Sequence, residues 1–284
     1  MSSIGVVHLV RAKNGLAPFR KFLESYARNS AGLKHDLIII FKGFRGEMEV
    51  REHERLLEGF PHRRLFVGDR GYDVGPYFVA ASTFPCDYFC FLNSHSVILD
   101  EGWLAKLYRH CSAKGVGLVG ATGSHGSWFS YLSDILNASR SGPRYRRLVR
   151  NLRLRVRLWT FARHFDPFPN HHIRTNGFMI SGVLMGRISR PRIISKWDAY
   201  KFESAKDGLT KQITGMHLIT LVVGKDGEAY EKEEWFRSNT FWQLDQGNLL
   251  IADNQTERYL AGDNDLKQHL SRSAWGDQAN PILK

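Results

Sequence analysis

The stretch Cys86–Leu107, CDYFCFLNSHSVILDEGWLAKL, decides the fold of this chain. Tyr88–Leu92 is a run of five apolar or aromatic residues that ends abruptly in the small polar segment Asn93–Ser96. Such a run predicts a buried strand of a parallel sheet, which carries polar side chains to the sheet edge where open α/β folds bind ligands. A core strand followed by an ordinary polar turn fits these residues equally well. The sequence next predicts a short apolar segment at Val97–Leu99 and a helix that begins near Trp103.

The first 70 residues alternate between strand and helix patterns. Strands are predicted at Ile4–Val10, Asp36–Phe41 and Arg64–Val67, with helices from Pro18 to Asn29 and over Glu47–Glu58. This alternation is typical of βαβ units and of a parallel sheet. We therefore predict an α/β fold with a mostly parallel sheet flanked by helices.

The second half of the chain has weaker patterns. The predicted elements are a strand at Val116–Val119, a strand or strand pair over Ile173–Leu184, a helix at Thr210–Met216, a strand at His217–Val223, a tight turn at Lys225–Gly227, peripheral strands at Trp235–Phe241 and Leu249–Asp253, and a terminal helix from Glu257 to Ser271. No repeat or linker divides this half from the first.

Composition narrows the class of protein. The chain has 284 residues with 43% hydrophobic and 12% aromatic residues, which excludes a mainly disordered chain. No apolar run approaches the roughly 20 residues of a membrane span, and the N-terminal residues do not have the pattern of a secretory signal peptide. A cytoplasmic location is therefore expected. The three cysteines Cys86, Cys90 and Cys111 are expected to be reduced core residues. The net charge of +12 indicates an anionic partner.

Much of that charge lies in the segment Gly142–Arg163, which contains no acidic residue. Its arginines include Arg146, Arg147, Arg150, Arg153 and Arg157. If the segment is a helix, it has an apolar stripe that includes Val156 and Trp159. If it is a strand, apolar residues and arginines alternate over 152–158. One interpretation is a basic amphipathic segment on anionic lipid headgroups; others are a solvated face or a lid over a phosphate site. Nucleic acid is disfavoured because no recognition motif accompanies the arginines.

The order of elements over most of residues 4–225 resembles that of GT-A glycosyltransferases, especially inverting family 2 and bacterial rhamnan or O-antigen polysaccharide enzymes. VVHLVRAKNGLAPFRKFLESY is similar to the family's nucleotide-binding opening, and GYDVGPY to the segment that approaches the base and ribose. FLNSHSVILDEGWLAKL is similar to the stretch of the family that contains, in order, a strand, the metal-binding motif, a short apolar segment and a helix that begins with Gly-Trp-Leu.

The resemblance has one important departure. The family has Asp-x-Asp where this chain has Asn93-Ser94-His95, and two carboxylates there hold Mg²⁺ or Mn²⁺ against the donor diphosphate. Three possibilities follow: metal-free transfer in which cations stabilise the leaving group, a metal site that uses His95, or a domain that has lost catalysis. The sequence therefore assigns no cofactor, and Mg²⁺ or Mn²⁺ belongs to the second of these alternatives.

The resemblance also implies roles for individual residues. Glu203 is the first choice for the base that takes the acceptor proton, and Asp207 the second, although Asp207 could instead cap a helix near Leu209. The residues implied in donor binding are Arg11, Lys13, Asn14, Asp73, Asn93, Ser94, His95 and Arg174. Those implied at the acceptor are Thr175, Asn176 and Gly177.

Together these observations predict one GT-A-like domain over 1–284. Its parts would be a nucleotide-binding half (1–125), a basic amphipathic insertion (140–165), an acceptor-side half (166–230) and a small C-terminal extension (231–284). The implied activity is transfer of a sugar from a nucleotide-sugar donor to a saccharide acceptor, plausibly lipid-linked, at the inner face of the cell membrane in surface polysaccharide or lipopolysaccharide synthesis. The alternatives are a catalytically degenerate domain that binds a glycan or partner, and a basic nucleic-acid-binding protein.

Overall fold

A computed structural model describes residues 2–138 and 144–279, with side chains described outside 137–152 and 279. The strands are β1 (Ile4–Arg11), β2 (Asp36–Lys42), β3 (Arg63–Val67), β4 (Tyr88–Leu92), β5 (Val97–Ile98), β6 (Val116–Gly120), β7 (Gly123–Ser124), β8 (His172–Ile173), β9 (Gly177–Ser181), β10 (Ile219–Val223), β11 (Ala229–Tyr230) and β12 (Ile251–Ala252). The helices are α1 (Leu16–Arg28), α2 (Glu47–Arg55), α3 (Val74–Thr83), α4 (Trp103–Cys111), α5 (Trp128–Ala138), α6 (Arg144–His164), α7 (Gly182–Arg187), α8 (Lys196–Ser204), α9 (Leu209–Gly215), α10 (Asn254–Ala261) and α11 (Asn264–Trp275).

The main sheet has eight strands in the order β11-β10-β6-β9-β4-β1-β2-β3. Strands β1, β2, β3 and β4 run parallel, and β6 and β10 share their direction, whereas β9 and the edge strand β11 run antiparallel. Helices cover both faces of this sheet. The predicted α/β fold, with a mostly parallel sheet flanked by helices, is confirmed.

The alternation of apolar side chains along β1 shows why both faces are covered. Val6 and Val10 belong to one core cluster, in which Phe19 and Phe22 of α1 pack, whereas Val7 and Leu9 belong to the cluster on the opposite face. A strand that is buried on both sides has no polar face, which explains the continuous apolar run in the sequence.

The register of the strands brings their polar ends together. In the parallel pairing, Arg11 at the end of β1 stands beside Lys42 at the end of β2, and Lys42 stands beside Val67 at the end of β3. Antiparallel β9 begins at this same edge, because Gly177 pairs with Leu92 at the end of β4. The carboxyl edge of the sheet is therefore where residues distant in sequence meet.

Four predictions about secondary structure need correction or completion. The segment predicted as a strand or strand pair over Ile173–Leu184 is short β8, then β9, then helix α7. The predicted peripheral strand Trp235–Phe241 is instead a 3₁₀ turn and irregular chain, and two helices replace the single terminal one. The arginine-rich segment, left ambiguous by its sequence, is helix α6.

Among the described residues, no helix combines the length and the apolar character needed to cross a membrane.

Candidate functional site

Asp69 is the centre of a charge cluster at the carboxyl edge of the sheet. Its Oδ1 accepts from Arg11 Nε at 2.9 Å and its Oδ2 from Arg11 Nη2 at 3.2 Å, so the guanidinium binds the carboxylate with two parallel bonds. Lys13 Nζ lies 2.8 Å from Oδ2 and Lys42 Nζ 3.3 Å from Oδ1. The Arg11 guanidinium, followed by Lys13, holds the pKa of Asp69 well below its usual range. Three cations thus converge on one carboxylate.

Lys42 is the buried member of this cluster, with 1% of its side chain exposed. Its ammonium also donates to the backbone oxygen of Asp69 at 3.1 Å, and burial lowers its pKa. Gly43 follows it with a φ of +76°, and a Cβ there would stand 3.0 Å from the Asp69 Cβ. The glycine thus gives the turn its left-handed conformation and leaves room for Asp69 to approach.

A cavity of about 520 Å³ opens beside the cluster. Its lining residues include the charged side chains of Arg11, Lys42, Asp69, Arg70 and Arg192. Tyr72, whose φ of +47° is unusual for a residue with a side chain, also lines it and is 37% exposed. A cavity of this size is typical of small-molecule sites, and its lining favours an anionic ligand with a planar or apolar part.

Asp73 directly follows the cavity residue Tyr72 and interacts electrostatically with several other predicted residues. It stands at the start of α3 but makes no capping hydrogen bond. Burial raises the pKa of the Asp73 carboxyl, the charges of Lys42, Arg11 and His95 act against that rise, and Glu203 adds to it. Asp73 therefore lies within electrostatic reach of the donor-side cations, of the tip of β4 and of Glu203.

The polar tip after β4 is held by its own hydrogen bonds. Asn93 Oδ1 accepts from the backbone N–H of His95 at 2.9 Å and from Ser96 Oγ at 3.2 Å. Asn14 Nδ2 donates to Ser94 Oγ at 2.9 Å, which joins two predicted donor-binding residues that are 80 positions apart. The tip is thus a fixed turn beside the first loop of the chain.

The predicted acceptor segment enters the sheet at the same edge. The backbone oxygen of Asn176 accepts from the N–H of Asn93 at 3.2 Å and from Ser96 Oγ at 2.9 Å, and Asn176 Oδ1 accepts from Thr122 Oγ1 at 2.6 Å. Asn176 Nδ2 is buried and has no hydrogen-bond partner among the described residues. Gly177 packs under Ile251, where a Cβ would stand 3.3 Å from that side chain.

Glu203 lies near the end of α8 and contacts this segment directly. Its Oε2 accepts from the N–H of Thr175 at 2.8 Å and from Thr175 Oγ1 at 2.6 Å. Both bonds go to one oxygen, so the orientation of the carboxylate is fixed while Oε1 has no hydrogen bond from a described residue. Burial lowers the pKa of the neighbouring His172, and the charge of Glu203 acts in the opposite direction.

Asp207, the second predicted base, is not brought to this cluster. It is exposed, and the adjacent Lys206 binds the end of α6 through the backbone oxygens of Ala162 and His164. The alternative role of Asp207 as a helix cap is wrong: Gly208 is the N-cap of α9, with no side-chain capping bond.

Arg174 is placed near the edge but its charge is already paired. Its Nη2 binds Asp253 Oδ2 at 2.9 Å, and its guanidinium carbon lies 4.0 Å from the centre of the Phe241 ring. The Arg174 and Asp253 side chains are 11% and 2% exposed. Arg174 thus anchors the C-terminal segment against the site.

No protein-family model matches the chain, and no curated protein matches it either. Solved structures do match. The mannosyltransferase PcManGT from Pyrobaculum calidifontis, in complex with GDP-Man and Mn²⁺, is 12% identical with a TM-score of 0.49; the match covers 83% of this chain and 59% of that one. Glucosyl-3-phosphoglycerate synthase from Mycobacterium tuberculosis, in complex with Mn²⁺, UDP and phosphoglyceric acid, is 17% identical with a TM-score of 0.38, covering 64% and 56%. Mouse xyloside xylosyltransferase 1 is 10% identical with a TM-score of 0.39, covering 65% and 69%.

These matches are glycosyltransferases. The chain spans about three fifths of the length of the mannosyltransferase, at 59%. Because the TM-scores are below 0.5, the function proposed below rests on the residues of this chain.

The residues at the tip do not fit the two-carboxylate metal site of the GT-A pattern. The oxygen of Asn93 is engaged within its own turn, and the side chain of His95 would supply a single nitrogen ligand. Within residues 2–138 and 144–279, no group of three His, Cys, Asp or Glu side chains is arranged to hold a metal ion. Hard divalent cations prefer several oxygen ligands, so we assign no catalytic step to a metal.

Sequence reasoning missed three residues of the site: Lys42, Asp69 and Arg192. Lys42 is the last residue of β2 and Asp69 follows β3 by two positions, so both stand at carboxyl strand ends. That position is the signal that could have found them. Arg192 comes from the irregular segment after α7, and nothing in its local sequence indicates the contact.

The predicted membrane-surface arginines lie on α6, where the side chains of Arg146, Arg147 and Arg150 are outside the described residues. Arg153 and Arg157 are exposed. Phe161 on the same helix, and Phe165 immediately after its end, pack against Leu132 and Trp197. The opposite face carries Val156 and Trp159, which are 60% and 59% exposed, so the predicted apolar stripe is not the face that packs on the protein.

Proposed function

We propose that the chain is a glycosyltransferase that moves a sugar from a nucleotide-sugar donor to a saccharide acceptor. The observation that carries the proposal is the placement, at one sheet edge, of a cation-lined cavity and of Glu203, a carboxylate oriented by two hydrogen bonds. The cation-lined cavity suits a ligand with a diphosphate, and Glu203 suits a reaction that needs a base. Asp73 interacts electrostatically with both groups of charges.

The donor nucleotide would occupy the cavity at the ends of β1, β2 and β3. Arg11 and Lys42 are held in place by Asp69, and Arg70 and Arg192 bring further positive charge to the lining. Tyr72 offers an aromatic surface for the base. Preorganised cations of this kind stabilise the charge that develops on a leaving nucleoside diphosphate, in place of an Asp-x-Asp metal site.

Glu203 would act as the base. Its free Oε1 takes the proton of the acceptor hydroxyl as that oxygen bonds to the anomeric carbon and the bond from that carbon to the diphosphate oxygen breaks. The electron pair of the broken bond leaves with the nucleoside diphosphate. A single displacement of this kind inverts the anomeric configuration. The Thr175–Gly177 segment, held by Glu203 and by the tip of β4, would contact the acceptor.

Helix α6 supports a peripheral association with an anionic membrane. Arg153 and Arg157 are exposed on the same helix as an exposed apolar stripe formed by Val156 and Trp159, and Arg163 stacks on Trp159 at 3.5 Å. Basic and aromatic side chains on one helix face are typical of helices that lie in a headgroup layer. On this basis we place the enzyme at the inner face of the cell membrane, as one GT-A-like domain over 1–284 that acts on a lipid-linked acceptor in surface polysaccharide or lipopolysaccharide synthesis.

The first experiment is calorimetric titration with nucleoside diphosphates and nucleotide sugars, in EDTA and then in Mn²⁺. Binding in EDTA that is weakened at least tenfold by Arg11→Gln, and little by Arg109→Gln on α4, supports the donor site and a metal-free mechanism. Binding that requires Mn²⁺ means that the tip or distant acids form a metal site. No binding in either condition overturns the donor assignment and favours a glycan-binding domain without activity.

The role of Glu203 is tested by Glu203→Gln, which keeps the size of the side chain. We expect the rate of sugar transfer to fall by about 100-fold or more while nucleotide affinity is unchanged, because general-base catalysis contributes on this scale. Asp207→Asn is the matched control. Loss of transfer in Asp207→Asn, with activity kept in Glu203→Gln, would reverse the assignment.

A further inference from the structure

Three side chains of α8 form a stripe that ends at the proposed base. Lys196, Tyr200 and Glu203 are separated by four and by three residues, a spacing that places them on one side of a helix. Lys196 is exposed, and the other two are partly exposed. The helix packs on the core through a different side, since Phe202 is buried and its ring centre lies 5.7 Å from that of Phe78. The stripe is therefore not the side that anchors α8.

Tyr200 belongs to a group of three aromatic rings that joins α8 to α5. Its ring centre lies 4.6 Å from that of Trp128 at an angle of 36°, and Trp128 lies 6.2 Å from Tyr131 in an edge-to-face arrangement. Trp128 is partly exposed and Tyr131 is 41% exposed, whereas Leu132 on the same helix is 5% exposed. Trp128 and Tyr200 also pack against the small core cluster that contains Leu132, which holds the rings in place. We call Trp128, Tyr131 and Tyr200 the aromatic platform.

The two ends of the stripe reach the donor cavity and the predicted acceptor segment. Contact with the Tyr200 hydroxyl raises the pKa of Lys196, and Tyr72 of the donor cavity adds a smaller effect. At the other end, Glu203 binds Thr175 through two hydrogen bonds. Tyr200 stands one helical turn before Glu203, about 4.5 Å along the helix axis. A molecule whose reacting hydroxyl reaches Glu203 therefore has the aromatic platform beside it.

The chemistry of the platform suits the ring of a sugar. The faces of a pyranose ring carry C–H groups whose hydrogens bear a partial positive charge, and the negative face of an aromatic π-system attracts them. The hydroxyls of Tyr131 and Tyr200 and the ammonium of Lys196 can donate hydrogen bonds to the sugar hydroxyls. Lys196 is the one cation of the stripe and the platform together, so a phosphate group finds no guanidinium fork there.

We propose that the aromatic platform binds a second sugar unit of the acceptor, next to the unit that carries the reacting hydroxyl. The acceptor is then an oligosaccharide and not a single sugar. This inference rests on the proposed function, because the role of Glu203 as base fixes where the reacting hydroxyl lies. It adds the length of the acceptor and the side chains that select for that length.

The test is a titration of the full-length protein, in the presence of nucleoside diphosphate, with maltotriose, cellotriose, mannotriose and chitotriose and with the methyl glycosides of the same sugars. Saturation-transfer NMR measures the affinity and identifies the sugar protons that contact the protein. We expect at least one trisaccharide to bind about tenfold more tightly than its methyl glycoside, with strong transfer to the ring C–H protons of a second unit.

Two variants examine the platform itself. Trp128→Leu and Tyr131→Ala should each weaken trisaccharide binding about fivefold and leave the affinities for methyl glycoside and nucleotide unchanged. Unchanged nucleotide affinity shows that a variant is folded, and Tyr131→Ala decides the question if Trp128→Leu loses its fold. Tyr108→Ala, at a partly buried tyrosine of α4, is the matched control and should alter none of these affinities.

Several results would overturn the inference. A methyl glycoside that binds as tightly as the trisaccharide would show that no second unit is bound. Trisaccharide binding that persists in both folded variants, or that Tyr108→Ala weakens equally, would show that the three rings only pack α5 against α8. The absence of binding by every trisaccharide refutes the platform alone when nucleoside diphosphates still bind, and loss of nucleotide binding as well refutes the proposed function.

Discussion

His8 gives the structure a pH dependence that can be worked out in magnitude. Its ring is fully buried in β1, lies parallel to the Phe22 ring with centroids 3.6 Å apart, and has no hydrogen-bond partner among the described residues at either nitrogen. Burial, with a smaller effect from the charge of His95, lowers the pKa of His8 from 6.5 to about 3. The folded protein therefore holds this imidazole neutral at any pH above that value.

The sign of the effect follows from proton binding. Between the unfolded pKa of 6.5 and the folded pKa of about 3, the unfolded chain binds a proton at His8 that the folded chain does not. Stability therefore falls as the pH falls through this window, by about 1.4 kcal/mol per pH unit. At about pH 5 the loss relative to neutral pH is about 2 kcal/mol from this one residue.

Replacement of His8 by phenylalanine keeps an aromatic ring against Phe22 and removes the titration. The larger ring costs about 1–3 kcal/mol of packing strain at every pH, so the informative quantity is the change between two pH values. Urea unfolding followed by tryptophan fluorescence at about pH 7.5 and about pH 5 should show that the wild type loses about 2 kcal/mol more than His8→Phe. The control is His269→Gln, an exposed histidine on α11. Equal losses in the wild type and in His8→Phe would refute the burial of a neutral, unpaired imidazole.

Three further outcomes are expected. Asp69→Asn should destabilise the fold by about 2 kcal/mol because buried Lys42 loses a charged partner. Because the folded protein depresses the pKa of Asp69, the wild type has this stability above pH 3.8, the pKa of the unfolded chain, and loses it on acidification. Urea unfolding at a series of pH values will measure both effects. Thr175→Val should lower kcat about tenfold with little change in donor affinity, since it removes one bond that orients Glu203, and steady-state kinetics would contradict this if only KM rose. Arg153→Glu combined with Arg157→Glu should abolish cosedimentation with anionic vesicles at low salt while nucleotide binding persists; unchanged cosedimentation would exclude α6 as the membrane surface.

The first 120 residues could be predicted closely because β1, β2 and β4 are buried on both faces. An apolar run such as Tyr88–Leu92 that ends in polar residues has few interpretations, and the sheet places its end at the ligand edge as expected. The meeting of Asn14 with Ser94 also follows from this logic, since β1 and β4 are parallel neighbours.

The C-terminal segment could not be predicted in the same way. Trp235 and Phe241 are buried, so their apolar pattern resembles a strand. Asn239, Trp242, Leu244 and Gln246 nevertheless have positive φ angles, between 39° and 52°, which no strand accommodates. Side-chain amides of Gln243 and Gln246 bind the backbone instead of a neighbouring strand. Tertiary contacts of this kind leave no periodic signal in the sequence.

The charge cluster was predicted only in part, with Arg11 and Lys13 but without Lys42 and Asp69, because its assembly depends on strand register. Asp69, Arg11 and Lys42 come from three separate loops or strand ends, and only the pairing of β1 with β2 and of β2 with β3 brings them together. The resemblance to GT-A enzymes instead pointed to the tip of β4, where this chain lacks the Asp-x-Asp motif.

The charge cluster around Asp69 can supply the positive charge that a metal ion bound by two carboxylates would otherwise place against the diphosphate. A divalent ion held by two carboxylates adds no net charge to a site, and its value lies in placing positive charge against the diphosphate. In this chain Arg11, Lys13 and Lys42 set against Asp69 leave two net positive charges, and Arg70 and Arg192 line the same cavity. In the proposed mechanism, the positive charge that faces the diphosphate therefore comes from the ends of β1, β2 and β3 and not from a metal ion at the tip of β4. Nucleotide binding should accordingly weaken as the salt concentration is raised and be unaffected by EDTA. Binding through a bridging metal ion would instead be lost in EDTA.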